Sequence, residues 1–185
     1  MDRLRGTHTL RPLPGTRGVL GRAFTVKVAP GDNLFIHAAL RQAQPGDVLV
    51  IDGAGNTERA LIGEILMSIA RSKGVLGFVV DGAARDVDAF AQAQFPCYAR
   101  GITLRGPYKN GPGALNVEVS IDGNVVRPGD IVLGDEDGVI FIPVEQAETV
   151  AAAARKHVER EQVMLASIAA GTYDDSWLNP LLGQK

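Results

Sequence analysis

Apolar residues along this chain fall into two textures that meet near residue 115. In the first part, stretches 47–51 and 75–80 are almost wholly apolar, without polar alternation. Such runs predict strands buried on both faces. Residues 23–28 predict a strand before them. Between the runs, apolar positions recur at helical spacing. Asp32 or Asn33 can cap a helix over 34–43, which Pro45-Gly46 stops. Thr57 can cap a helix over 58–72, with Leu61, Ile65 and Ile69 on one stripe and Gly74 at its C-terminal end. A short helix is predicted over 86–94, and 98–99 and 102–104 read as extended.

Beyond residue 115 the pattern becomes one of short strands: 117–121, 124–126, 131–133 and 139–142. Asp122-Gly123, Pro128-Gly129-Asp130 and Asp137-Gly138 supply the turns. Pro143 opens a long helix to about residue 170, with Val150, Ala154, Val158, Leu165 and Ile168 on one stripe and Gly171 at its end. The tail, 172–185, carries Trp177 and Leu181-Leu182, whose apolar side chains are expected to dock, another subunit being one surface that could receive them. Helices between strands in the first half and hairpins in the second predict a layered α/β domain with mixed sheets.

Composition narrows the function classes. With 185 residues, 45% of them hydrophobic, the chain can bury one sizeable core, and 1–185 is read as a single domain. A net charge of −2 gives no electrostatic footprint for nucleic acid or an anionic membrane. The lone Cys97 excludes an internal disulfide framework and a multi-cysteine zinc site, and reads as a small core residue. No apolar run approaches the roughly 20 residues of a spanning helix. The N-terminus lacks the apolar segment of a secretory signal, so the cytoplasm is the expected compartment.

Several chemical motifs fail. Gly53-Ala54-Gly55 begins like a dinucleotide fingerprint, but Glu58 stands where the third glycine belongs. No phosphate-binding loop with its lysine and no G-x-S-x-G elbow occurs. His8, His37 and His157 show no metal-ligand spacing and read as surface or packing residues. What remains is Arg85-Asp86, at the exit of the apolar run. Asp86 could simply cap the next helix, with Arg85 paired to Asp88. Alternatively the pair could be chemical. It lies beyond the C-terminal end of a buried strand, where open α/β sheets place ligands. Gly82-Ala83-Ala84 leaves room there for a small molecule. Glu64, in Gly63-Glu64-Ile65-Leu66, is a second candidate upstream.

These residues carry a resemblance. Gly63-Glu64-Ile65-Leu66, with twenty residues between Glu64 and Arg85-Asp86, resembles the signature of the RraA-like family. That family includes class II 4-hydroxy-4-methyl-2-oxoglutarate aldolases, which also decarboxylate oxaloacetate. The blocks PGDNLFIHAAL, AQPGDVLVIDG, SKGVLGFVVDGAARDVDAF and VVRPGDIVLGDEDGVIFIP follow family order. The resemblance implies a β/β/α swivelling-type fold assembled as a trimer or a hexamer of trimers, with the site at a subunit interface. It implies a metal-dependent lyase that releases pyruvate from a short 2-oxo acid, using magnesium or, in its place, manganese.

By carry-over, Asp86 would ligate the metal, and Arg85 would face the oxo-acid head and offset enolate charge. Backbone N–H groups of Gly63, Ile65 and Leu66 would hold the substrate carboxylate. Glu64 would orient a water; the family often carries aspartate there, one methylene shorter. Glu161, on the last helix, would be an acid contributed from a neighbouring subunit. The resemblance also implies a further N-terminal helix, inside which Met1-Asp2-Arg3-Leu4 would begin. The second function class it implies is a non-catalytic regulator that binds ribonuclease E or an RNA helicase, since the namesake members share the fold without the complete acidic set.

Overall fold

The computed structural model describes residues 6–16 and 18–183; the predicted N-terminal helix remnant at 1–4 lies outside them. The chain divides between Val144 and Glu145 into two compact units. The first carries β1 (Arg11–Pro12), β2 (Val19–Val28), α1 (Leu34–Gln42), β3 (Asp47–Asp52), β4 (Ala60–Ile62) and α2 (Glu64–Ser72). It continues with β5 (Gly77–Ala84), α3 (Val87–Ala93), β6 (Cys97–Ile102), β7 (Gly113–Leu115), β8 (Val119–Ile121) and β9 (Asn124–Val126). β10 (Ile131–Gly134) and β11 (Val139–Ile142) close it.

The main sheet runs β1-β6-β5-β3-β2-β10-β11, with β4 added to β5 and β7 to β2. β2, β3, β5 and β6 are parallel, and antiparallel strands flank them. Alternation along the central strands explains their composition. Leu49, Ile51, Phe78 and Val80 enter a cluster with Ile36, Leu66 and Phe90 of the three helices. Val48, Val50 and Val79 enter a second cluster with Val119, Ile121 and Val126 of the small β8–β9 sheet and with Val132 of β10. Both faces are covered, so the strands read as apolar runs. The result is the α/β fold with mixed sheets that the sequence predicts, and Cys97 is buried in its core.

One predicted helix is displaced. The window 58–72 holds strand β4 first, and α2 starts only at Glu64. Ala60 and Ile62 pair with Ala83 and Ala84 of β5, and that pairing overrides helical spacing before residue 63. The helix phase shifts accordingly. Leu66, Met67 and Ala70 are buried, whereas Ile65 is 71% exposed and Ile69 also faces outward. Two short strands, β1 and β7, escape the sequence pattern because each is only a two- or three-residue addition to a longer strand.

α3 buries a single side chain, Phe90, whose ring meets Phe78 edge-on and Phe95 at a tilt, with Phe78 and Phe95 centroids 5.2 Å apart. Deleting such a ring costs about 3–5 kcal/mol, so Phe90 fastens the element that follows Arg85-Asp86. A 3₁₀ turn at Val144–Gln146 begins on the last residue of the first unit, and the second unit holds the helix α4 (Ala147–Ala169). None of α4 is buried, and Trp177, Leu181 and Leu182 after it are exposed.

Candidate active site

Parallel strands leave their carboxyl ends on one edge, and four connections meet there: those after β2, β4, β5 and β6. β5 is buried throughout and delivers Arg85 and Asp86 to that edge. The Arg85 N–H donates to the Ile62 carbonyl at 3.1 Å, tying the pair to the end of β4. β4 in turn delivers Gly63 and the N-terminus of α2. Gly63 is required by close approach: a Cβ there would collide with Asp86 Oδ2 and stand 2.9 Å from Arg85 Cγ.

Asp86 occupies the first position before α3, with φ 59° and ψ 44° in the left-handed region. Asp tolerates this better than most residues. Its side chain does not cap α3. Instead Oδ2 accepts the Glu64 N–H at 2.9 Å, at the start of α2. The helix dipole and unpaired N–H groups there favour a carboxylate. The Arg85 guanidinium lies 3.5 Å from the same oxygen through Nε, so its cation pairs with Asp86 and not Asp88. Both side chains remain about 40% exposed, Arg85 at 39% and Asp86 at 40%.

Two recesses flank this pair. On one side Arg85, Gly63, Ile65 and Leu66 line a cavity with Asn33, His37, Pro107 and Lys109. The N–H groups of Ile65 and Leu66 belong to the first turn, whose donors the helix itself cannot satisfy. On the other side Glu64, Asp86 and Asp88 line an open depression with Gln92. The structure thus brings Gly63, Glu64, Ile65, Leu66, Arg85 and Asp86 together. Glu161 stands on α4 of the second unit, where its Oε1 meets His157 Nε2 at 3.0 Å.

The donor chemistry bears on a cation. Among the described residues, no three His, Cys, Asp or Glu side chains converge as a metal cage. The depression beside Asp86 offers carboxylate oxygens and the Gln92 amide, hard donors with no imidazole or thiolate. That set fits magnesium, which binds through one or two carboxylates and keeps several waters, and it does not fit zinc.

Sequence reading gave Asn33 a capping role and His37 a surface or packing role, and singled out none of Asn33, His37 and Lys109 for the site. They arrive from the connections after β2 and β6, and the only available signal was their position after predicted strands. His37 has a pKa below the ordinary histidine value; burial lowers it most, and Lys109 and Arg41 push the same way. It is therefore a neutral imidazole at neutral pH.

Fold and cleft together define an α/β protein with a small polar site at the carboxyl edge of its parallel strands. The chain belongs to the RraA-like family: the family model described as Aldolase/RraA matches residues 1–141. A relative from Halalkalibacterium halodurans, named "Putative 4-hydroxy-4-methyl-2-oxoglutarate aldolase", is 45% identical over 150 residues, covering 81% of this chain and 71% of its own. An uncharacterized protein from Pseudomonas syringae superposes with a TM-score of 0.82 at 29% identity, over 90% of this chain and 78% of that one. The RNA-processing inhibitor RraA from Thermus thermophilis superposes with a TM-score of 0.69 at 31% identity, over 74% and 83% of the two chains. No described helix is long and apolar enough to cross a membrane.

Proposed function

We propose that this protein is a C–C lyase that cleaves or decarboxylates a short 2-oxo acid and releases pyruvate. The observation that carries the reading is the meeting of Arg85, Asp86 and the first turn of α2 at the carboxyl edge of the parallel strands, between the two recesses. The printed name of the Halalkalibacterium halodurans relative supports the same reaction class.

In this reading the substrate carboxylate lies at the N–H groups of Gly63, Ile65 and Leu66, where the helix N-terminus favours an anion. Arg85 places a planar fork beside the 2-oxo group and offsets the charge that develops as the bond breaks. Asp86 would hold a divalent cation, magnesium or manganese. When bound, that cation supplies further positive charge against the enolate oxygen. Glu64 holds a water that takes the C4 hydroxyl proton as the C3–C4 bond breaks and its electron pair enters the enolate. The same water then returns a proton to C3. Decarboxylation of oxaloacetate uses the same electron sink without the hydroxyl step. Glu161 would act from a neighbouring copy in a trimer or a hexamer of trimers.

Purified protein with Mg²⁺ or Mn²⁺ should release pyruvate from oxaloacetate or from 4-hydroxy-4-methyl-2-oxoglutarate, and EDTA should abolish the release. Release no faster than with the metal alone, across several 2-oxo acids, overturns the reading. The likeness to the Thermus thermophilis inhibitor favours a second reading, a regulator that binds ribonuclease E or an RNA helicase. Capture of ribonuclease E by wild type and equally by Asp86→Asn, with no pyruvate release, would establish that one instead.

A further inference from the structure

The segment from Arg105 to Gly111 forms one wall of the cavity beside Arg85, yet it has almost no strand ladder of its own. Among the described residues its backbone is held by an isolated bridge between Asp32 and Tyr108, and at its start by the Ala60 N–H, which donates to the Arg105 carbonyl at 2.9 Å. Two side chains from other connections hold it. Arg59, between β3 and β4, donates to the Gly106 carbonyl and to Tyr108 Oη, both at 2.7 Å. Its guanidinium carbon also sits 4.0 Å above the Tyr108 ring. Asp32, between β2 and α1, is only 3% exposed. Its carboxylate accepts the N–H groups of Leu34, Asn110 and Gly111.

The two anchors are neighbours. Gly31 has φ +72°, and a Cβ on it would lie 3.1 Å from Arg59 Cδ, so the missing side chain makes room for the arginine stem beside Asp32. Gly106, the residue that Arg59 holds, faces the site: a Cβ there would stand 3.5 Å from Arg85 Nη1. Burial alone would raise the Asp32 pKa, but the N–H groups of Asn110, Leu34 and Gly111, with Lys109, outweigh it and hold the carboxyl below its ordinary value. The anchor is thus an anion at neutral pH.

We propose that Arg59 and Asp32 are a two-point anchor that fixes residues 105–111 against the Arg85 guanidinium, and that Arg59 is a positioning residue for substrate binding. The anchor stands on the contacts above; its effect on substrate rests on the lyase reading. Arg59 touches no reacting atom. It acts through Gly106, which limits where Arg85 can swing, and through Tyr108, which carries Pro107 and Lys109 with it. A planar fork is needed, because one group must serve a carbonyl, a phenol and a ring face together.

The test compares wild type, Arg59→Met, Arg59→Lys and Tyr108→Phe in the full chain. Amide hydrogen exchange over 105–111 should speed up at least tenfold in Arg59→Met, while the core of β5 keeps its protection. KM for oxaloacetate with Mg²⁺ should rise about tenfold with kcat within about threefold, the signature of lost binding common to ground and transition states. Tyr108→Phe keeps the stack and should show a smaller KM change; Arg59→Lys should fall between wild type and Arg59→Met. Unchanged exchange over 105–111 overturns the anchor. A lower Tm with unchanged KM, or a fall in kcat alone, overturns the positioning role. If wild type releases no pyruvate, the lyase reading fails and the exchange result alone decides the anchor.

Discussion

β5 carries two arginine–aspartate constellations, and they differ in almost every respect that matters. Inside the strand, Asp81 is 4% exposed and pairs with Arg100 of β6. Its other oxygen accepts the Asp122 N–H at 2.9 Å. Asp122 in turn accepts from the N–H groups of His8 and Thr9, from the Thr9 hydroxyl and from Arg100. A few residues further on, Arg85 and Asp86 share one loose contact of 3.5 Å and remain open to the cleft. The first group is closed: its charges are spent on one another and on backbone, and it ties the N-terminal segment and the β8–β9 turn to the sheet. The second keeps its fork and one carboxylate oxygen for something else. Satisfied buried networks specify structure, whereas half-satisfied polar groups in a cleft are candidates for chemistry.

Mutation can separate the two. Asp86→Asn keeps a residue that tolerates the left-handed conformation but removes the charge. It should lower pyruvate release about a thousandfold, the upper end of the scale of lost electrostatic stabilisation, with no rescue by saturating magnesium and with Tm nearly unchanged. Release at the wild-type rate with the same magnesium dependence would show that Asp86 only organises the turn. Asp81→Asn should do the reverse. Leaving Arg100 with Asp122 as its one remaining carboxylate partner should cost up to about 3 kcal/mol in urea unfolding, with activity per folded molecule unchanged. A wild-type midpoint would mean that the closed network carries no stability.

Arg85→Lys retains charge and loses the fork. It should lower kcat about a hundredfold, the effect of one preorganised donor, and change the magnesium dependence little. Loss of magnesium affinity instead would make Arg85 part of cation binding. The smallest effect is one of pH. Burial by itself would raise the Asp122 pKa, but its bonds to Thr9 and His8 and the Arg100 charge bring it down to about 2 from 3.8. A depressed carboxyl contributes stability that is fully present above its unfolded value and is lost as pH falls through its folded one. Asp122 should thus contribute about 2 kcal/mol above pH 4, disappearing towards pH 2. Asp122→Asn should flatten that part of a stability-versus-pH curve; an unchanged slope would assign acid sensitivity elsewhere.

The legibility of the site follows chain distance. Arg85-Asp86 was visible because the pair is contiguous and ends an apolar run. Glu64 was visible because it is an acid inside the mostly apolar helical stretch that precedes that run. Asn33, His37 and Lys109 were not, since they come from the connections after β2 and β6 and none stands in a local pattern that betrays its destination. The helix boundary at residue 64 failed for a related reason. Leu61, Ile65 and Ile69 have helical spacing, but spacing records only which period is possible, and a three-residue strand can use the same Leu61.

The sequence by itself determined that strands 47–51 and 75–80 are buried on both faces, that the first half alternates strands with helices, and that a cation–anion pair leaves the buried strand. These follow from local burial periods and turn residues. Only the tertiary structure decided where α2 begins and where the Asp86 carboxylate points. Both depend on the pairing of Ala60 and Ile62 with Ala83 and Ala84, a contact across more than twenty residues. That register leaves the Glu64 N–H facing Asp86, and no local pattern encodes which backbone donors a distant strand will leave free.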